Sequence, residues 1–153
     1  MKTRSAILGV AATLVLSLAS SSALAWSGDS GCTPGYWKQE QHFDSWPEPF
    51  APDTMLRDVF VTVPAEYVPD DTFLEALNYG GGPGVEGATR ILLRAAVAAL
   101  LNAQALGLAF EDSPTEVIDS TVGRLQSQWR PTILTRATYF DSINNGPDGC
   151  PLN

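Results

Sequence analysis

The stretch G-A-T-R-I-L-L-R-A-A-V-A-A-L-L-N-A-Q-A-L, residues 87–106, decides the fold of this chain. Nearly every position is apolar and many are alanine, while Arg90, Arg94 and Asn102, spaced at multiples of four, draw a narrow polar line. A helix that is apolar on most sides is buried by its neighbours, and small alanines let those neighbours approach closely. The stretch therefore predicts a central core helix. A membrane span is the competing interpretation, which two arginines in the first two turns oppose.

Two further helices are predicted on the C-terminal side of this stretch. Ser113-Pro114-Thr115-Glu116 is a capping box with proline at the first helical position. The helix that it opens has an apolar face made of Val117, Ile118, Val122, Leu125 and Trp129. Arg130-Pro131 interrupts this helix, and another runs from about Thr132 to Ile143. Its stop signal is Asn144-Asn145-Gly146-Pro147.

On the N-terminal side the pattern is weaker. Asp70-Asp71-Thr72 predicts the start of a helix that ends in the glycine-rich loop 80–84. Residues 56–60 fit a short helix, but 59–63 equally fit a brief β-branched strand, and the sequence does not separate the two. Residues 26–52 are rich in glycine, proline and aromatic residues, with no sustained period. The predicted fold is mainly α, a small helical domain with an irregular aromatic-rich N-terminal wrap.

The first 25 residues have the pattern of a cleavable signal peptide. Lys2 and Arg4 precede an apolar run from Ala6 to Leu18, and small residues at Ala23 and Ala25 form the expected cleavage site. The apolar run is shorter than the roughly 20 residues that a spanning helix needs. We therefore expect secretion, extracellular or periplasmic, of one helical domain, residues 26–153, with no membrane attachment after cleavage.

The charge of the chain excludes one class of partner. Cleavage lowers the number of basic residues from 9 to 7 against 17 acidic residues, so the net charge changes from −8 to −10. An acidic protein is repelled by phosphate backbones. Nucleic-acid binding is therefore not expected.

The two cysteines lie near the two ends of the secreted domain. Cys32 and Cys150 both lie among turn-forming residues, and an isolated pair in an oxidising compartment is more often bridged than free. Two Cys and one His without a C-x-x-C pair do not make a convincing zinc site. The sequence thus predicts an intramolecular disulfide that closes the domain, and neither a metal nor a cofactor. A bond between molecules remains the alternative.

The segment G-C-T-P-G-Y-W-K, residues 31–38, resembles the C-T-P-G-Y/F-W-K opening motif of a group of exported proteins of uncharacterised function. Three other segments share the resemblance, which spans most of the secreted domain: residues 77–82, residues 92–103, and residues 144–146 with 150–152. The resemblance implies export. It implies no activity, ligand or catalytic residue.

The aromatic residues of this segment allow two interpretations. Tyr36, Trp37 and Trp46, with Lys38 beside them, could form a platform on which a sugar ring stacks. Alternatively, the rings are a buried plug that locks the N-terminal segment to the helices. Exposed rings would favour the first interpretation, and buried rings the second.

Catalytic motifs are weak in this sequence. His42, the single histidine, lies between Glu40 and Asp44, which would suit a small secreted hydrolase, but no nucleophile elbow or helical ligand pair accompanies them. Residues 141–152 match a calcium loop at the first and sixth positions, but fail at the third and the twelfth. We therefore expect a non-enzymatic binding or structural protein that acts on polysaccharide, matrix or a protein partner outside the cell. The alternatives are a hydrolase using His42 and a subunit of a surface assembly.

Overall fold

The computed structural model describes residues 30–152, so the predicted signal peptide, residues 1–25, lies outside the described residues. Within this range the chain forms α-helices joined by loops, and no β-strand is present. The helices are α1 (Pro34–Trp37), α2 (Leu56–Val59), α3 (Phe73–Leu77), α4 (Gly84–Leu106), α5 (Pro114–Ser127) and α6 (Arg130–Asn144). Short 3-10 helices cover Glu40–Ser45, Ala65–Tyr67 and Gly107–Ala109. The mainly α fold is confirmed.

Helix α4 is the centre of the molecule. It packs against α1, α3, α5 and α6, and an unbroken run of its residues from Ala95 to Ala103 is buried. Residues 84–109 are the one helical stretch within the described range that is long and apolar enough to cross a membrane. In its most apolar window 61% of the residues are buried inside the fold. The apolar surface of α4 is thus covered by other helices.

Side-chain caps fix where α3 and α5 begin. The Thr72 hydroxyl accepts a hydrogen bond from the backbone N–H of Glu75, and the Glu75 carboxylate accepts one from the backbone N–H of Thr72. Ser113 and Glu116 make the same reciprocal pair at the start of α5. The capping box predicted at residues 113–116 is confirmed.

The end of α5 differs from the sequence prediction. The helix stops at Ser127 because Gln128 adopts a left-handed backbone conformation, with φ of 49°. Trp129 is therefore not part of the apolar face of α5. It is the residue that precedes α6, and its side chain is 61% exposed.

For the region before α3, the sequence allowed either a short helix or a brief strand. The structure contains the helix. Residues 56–59 form α2, and residues 61–63 form a turn rather than a strand. Backbone hydrogen bonds from Leu56 to Asp71 and from Phe73 to Thr54 tie α2 to the start of α3. Within the stretch itself, the backbone N–H of Val63 donates to the carbonyl of Phe60, and Gln126 of α5 donates to the carbonyl of Thr62 at 2.9 Å.

A disulfide joins the two ends of the described chain. Cys32 and Cys150 are bonded across a sequence separation of 118 residues. Beside the disulfide, the backbone N–H of Gly31 donates to the carbonyl of Gly149 at 3.1 Å. The predicted intramolecular bond is confirmed, and it holds the N-terminal aromatic segment against the C-terminal one.

Candidate functional site

The aromatic rings of the N-terminal segment are packed inside the fold. Trp37 is fully buried, and Tyr36 and Trp46 are nearly so. Tyr36 and Trp46 both meet Trp37 edge to face, with interplanar angles of 87° and 85°. Rings that are buried and perpendicular offer no flat exposed surface for a sugar. The arrangement matches the plug, and of the four predicted binding residues only Lys38 is exposed.

Asn102 of α4 anchors the plug through its side-chain amide. Its Oδ1 atom accepts hydrogen bonds from the backbone N–H of Cys32 (2.9 Å) and from Nε1 of Trp37 (3.1 Å). Its Nδ2 atom donates to the carbonyl of Cys32 and to Oδ1 of Asn144, both at 2.8 Å. Asn144 in turn donates to the carbonyl of Ala95 at 2.9 Å. The polar atoms of this buried amide are all paired, as burial demands.

His42 lies against the plug rather than in a cleft. Its ring is stacked on Tyr36 with centroids 3.9 Å apart and an interplanar angle of 22°. Glu40 and Asp44, the carboxylates beside it in sequence, are exposed. Among residues 30–152, no three His, Cys, Asp or Glu side chains come together as metal ligands would.

One concavity of the described chain, which we call the acidic groove, lies between residues 65–71 and the first turns of α4. Its volume is about 530 Å³. Four acidic side chains and one arginine line it together with Tyr67 and Gln128; the charged residues are Glu66, Asp70, Asp71, Glu86 and Arg90. Asp70 also pairs with Arg57 at 2.7 Å. The groove is thus rich in hydrogen-bond acceptors.

Trp129 directly follows Gln128, which lines the acidic groove, but Trp129 itself is not one of the lining residues. The corner that carries it is held in place by Arg130, whose Nη1 atom donates to the carbonyls of Gly82 (3.2 Å) and Gly84 at the start of α4. With 61% of its side chain exposed, Trp129 is one of three large apolar residues in the described range that face solvent; the others are Val61 and Leu108. An exposed indole is therefore presented from a fixed backbone.

A second concavity of about 410 Å³, which we call the Lys38 cleft, lies next to the acidic groove. Its lining comes from α1, α3, α4 and α6 and from the residues that follow α1 and α3: Pro34, Gly35, Lys38, Leu77, Asn78, Tyr79, Arg94 and Asp141. Residues 34–38, 77–79 and 94 belong to three of the segments on which the family resemblance rests. The cleft thus combines two cations, one carboxylate and one amide.

Tyr79 connects the two concavities. Tyr79 lines the Lys38 cleft, its hydroxyl donates to Asp71 of the acidic groove, and the Arg90 guanidinium lies 4.8 Å from its ring centroid. Burial, and next the hydrogen bond to Asp71, raise the pKa of the Tyr79 hydroxyl. The hydroxyl therefore stays protonated and continues to donate.

Sequence reasoning missed both concavities. Arg90 and Arg94 were visible as a polar line on α4, but the side chains that complete each site come from segments far away in the chain. Trp129 was assigned to a buried helix face. A signal for its exposure was present, since it directly precedes Arg130-Pro131, where the helical pattern breaks.

Comparison of the chain with protein-family models, with curated proteins and with solved structures finds no match.

Proposed function

We propose that this chain is an exported, non-enzymatic binding protein that acts outside the cell on polysaccharide, with the acidic groove and Trp129 as its binding surface. Export is supported by the signal-peptide pattern of residues 1–25. The disulfide between Cys32 and Cys150 is compatible with an oxidising compartment.

The chemistry of the acidic groove suits a sugar polymer. Sugars present many hydroxyl groups, which carboxylates accept and arginine donates to, and apolar C–H faces, which pack on a flat aromatic ring. The groove supplies the carboxylates and Arg90, and Trp129, the residue after Gln128, supplies the ring. The observation that carries the proposal is the exposed Trp129 on a fixed corner, directly after a residue that lines a polar groove.

The test is a pull-down with insoluble polysaccharides. The wild type is compared with Trp129→Ala, Trp129→Phe and Leu108→Ala, the last as a matched control because Leu108 is exposed and apolar but lies after α4, away from the groove. We expect Trp129→Ala to lose retention about tenfold or more, Trp129→Phe to keep part of it, and Leu108→Ala to behave as wild type. Equal retention of the wild type and Trp129→Ala, or no retention of the wild type on any polysaccharide, would overturn the proposal.

A surface-assembly subunit is the second candidate, supported by Leu108. This side chain is 96% exposed and lies in a shallow apolar depression with Ala105, Leu106, Ala109, Pro151 and Leu152. An exposed apolar patch is typical of a protein contact. Sedimentation over a range of concentrations tests this candidate: association that Leu108→Asp abolishes would favour it, and a monomer throughout would reject it.

The hydrolase using His42 has less support than either. The face of the His42 ring is occupied by Tyr36, and His42 lines neither the acidic groove nor the Lys38 cleft.

A further inference from the structure

The Lys38 cleft holds two basic side chains without an acidic partner. Acidic residues outnumber basic ones 17 to 9 in this chain. Yet within residues 30–152 no carboxylate oxygen lies within 4.0 Å of the side-chain nitrogens of Lys38 or Arg94. Of the other arginines in this range, Arg57 and Arg136 have such partners, and Arg90, Arg124 and Arg130 do not.

Arg94 has unused hydrogen-bonding capacity. Within the described chain, its guanidinium makes one hydrogen bond, from Nη1 to the carbonyl of Tyr79 at 3.3 Å. A guanidinium has five N–H donors in a rigid planar fork, which matches the two oxygens of a carboxylate. That single bond to a backbone carbonyl orients Arg94 and leaves the other donors for a ligand.

Asp141 is the single acid that lines the cleft. Burial raises the pKa of its carboxyl, and the nearby Arg94 counteracts this only in part. Two positive charges therefore face one negative charge, so the cleft carries a net positive charge inside an acidic protein. Charge alone does not separate a carboxylate from phosphate here, because the two cations attract a dianion more strongly while Asp141 repels it more strongly.

We propose that the Lys38 cleft binds the carboxylate of a sugar acid, with Lys38 and Arg94 as the cationic partners. Asn78 and Asp141, which line the same cleft, are the groups available to the neighbouring hydroxyls. The choice of a sugar acid, rather than another carboxylate, rests on the proposed function. Arg90 of the acidic groove and Arg94 of the cleft are one helical turn apart on α4. Tyr79, which lines the cleft, is also hydrogen-bonded to Asp71 of the groove. A polysaccharide that carries a sugar acid among neutral sugars could therefore occupy both, with its carboxylate in the cleft and its neutral sugars in the acidic groove.

The test uses monosaccharides, so that it does not depend on polysaccharide retention. Glucuronate, glucose and inorganic phosphate are titrated into the wild type and followed by NMR or calorimetry. The variants are Lys38→Met, Asp141→Asn and Arg124→Met. Arg124→Met is the matched control, since it removes one positive charge from an exposed position on α5.

We expect the wild type to bind glucuronate and to show no saturable binding of glucose or phosphate in the same range. Lys38→Met should weaken glucuronate binding about tenfold, the loss expected for one charge-assisted hydrogen bond. Asp141→Asn should strengthen it severalfold, while Arg124→Met leaves it unchanged. This result would support the cleft even if the polysaccharide pull-down failed.

Three outcomes would overturn the inference. They are glucose binding as tight as glucuronate binding, phosphate binding tighter than glucuronate binding, and Lys38→Met binding glucuronate as the wild type does. If Lys38→Met and Arg124→Met weaken binding equally, overall charge rather than the cleft is responsible, and the inference also fails.

Discussion

Asn102 is fully buried in α4, and the residues on either side of it in the sequence are apolar. A leucine would be the expected residue at such a position. Its amide serves four partners at once: the N–H and C=O of Cys32, the indole of Trp37 and the side chain of Asn144. The partners lie 65 and 70 residues before it and 42 residues after it. A single polar side chain thus fixes how the N-terminal segment and α6 meet on α4.

We predict that Asn102→Leu lowers the free energy of unfolding by about 4 kcal/mol or more. The leucine fits the volume, but it leaves several buried donors and acceptors unpaired, each of which costs about 1–3 kcal/mol. Urea unfolding followed by tryptophan fluorescence measures the change. Gln104→Leu, at an exposed position on the same helix, is the control; it loses one hydrogen bond to the carbonyl of Glu48 and should cost no more than about 1 kcal/mol. A loss below about 1 kcal/mol for Asn102→Leu would show that the amide network is not important for stability.

Asp141 gives a pH-dependent prediction at the residue scale. Burial raises the pKa of Asp141 in the folded protein above its ordinary value of 3.8. Between these two pKa values the folded state keeps a proton that the unfolded state releases, so the contribution of Asp141 to stability falls as the pH rises. Asparagine is neutral throughout and lacks this penalty.

We therefore expect Asp141→Asn to melt at a higher temperature than wild type at pH 7, and at nearly the same temperature near pH 3. Thermal unfolding across this range tests the sign. Asp148→Asn, an exposed aspartate near the C-terminal end, is the control for the loss of one negative charge. An Asp141→Asn variant that is less stable than wild type at pH 7 would contradict the prediction.

At the scale of the elements, Gly87 sets how closely the glycine-rich loop approaches α4. A Cβ atom at Gly87 would collide with the backbone of Gly82, whose carbonyl lies directly over it. Gly123 in α5 has no neighbour within 4 Å of the corresponding position. Both glycines are inside helices, so replacing either by alanine changes the helix propensity in the same way. Only at Gly87 does the added methyl group also meet a neighbouring segment.

We predict opposite signs for the two alanine variants. Gly123→Ala should stabilise the protein by about 0.5–1 kcal/mol, because alanine loses less backbone entropy in a helix. Gly87→Ala should destabilise it by roughly 1–3 kcal/mol, since the backbone has to shift. Chemical denaturation of both variants provides the comparison. If Gly87→Ala is stabilising as well, the loop is not held against α4 in the way described.

The elements that could be predicted are those with a local physical cause. The apolar run of α4 and the capping box of α5 specify their helices from neighbouring residues alone. Residues 59–63 were ambiguous because their β-branched composition fits a strand as well as the turn that they form, which the distant Gln126 contacts. Trp129 was misplaced because the stop at Gln128 depends on a left-handed residue that need not be glycine. The Lys38 cleft could not be predicted, because residues 38, 78, 94 and 141 meet only after the helices have packed.

At the scale of the whole molecule, the disulfide acts together with the Asn102 network. In the chain-entropy model, closing a loop of 118 residues contributes about 4–5 kcal/mol, and roughly 2–4 kcal/mol is more usual in practice. The backbone of Cys32 is also bonded to Asn102, and the Tyr36 hydroxyl donates to the carbonyl of Leu152 at 3.0 Å. The two ends are therefore joined by covalent and non-covalent contacts.

We predict that reduction destabilises the protein without releasing the plug at room temperature. Reductant should lower the wild-type melting temperature by several degrees and should not change that of the Cys32→Ser/Cys150→Ser double variant. The fluorescence of Trp37 and Trp46 should keep the emission of buried indoles at 25 °C, because Asn102 still holds Cys32 and Trp37 when the sulfurs are apart. An unchanged melting temperature in the wild type would contradict a stabilising disulfide.

A red-shifted emission on reduction alone would mean that the covalent bond, rather than the Asn102 network, keeps the aromatic segment buried. Combining reduction with Asn102→Leu separates these contributions, since a loss larger than the two single losses added together shows that each restraint compensates for the other.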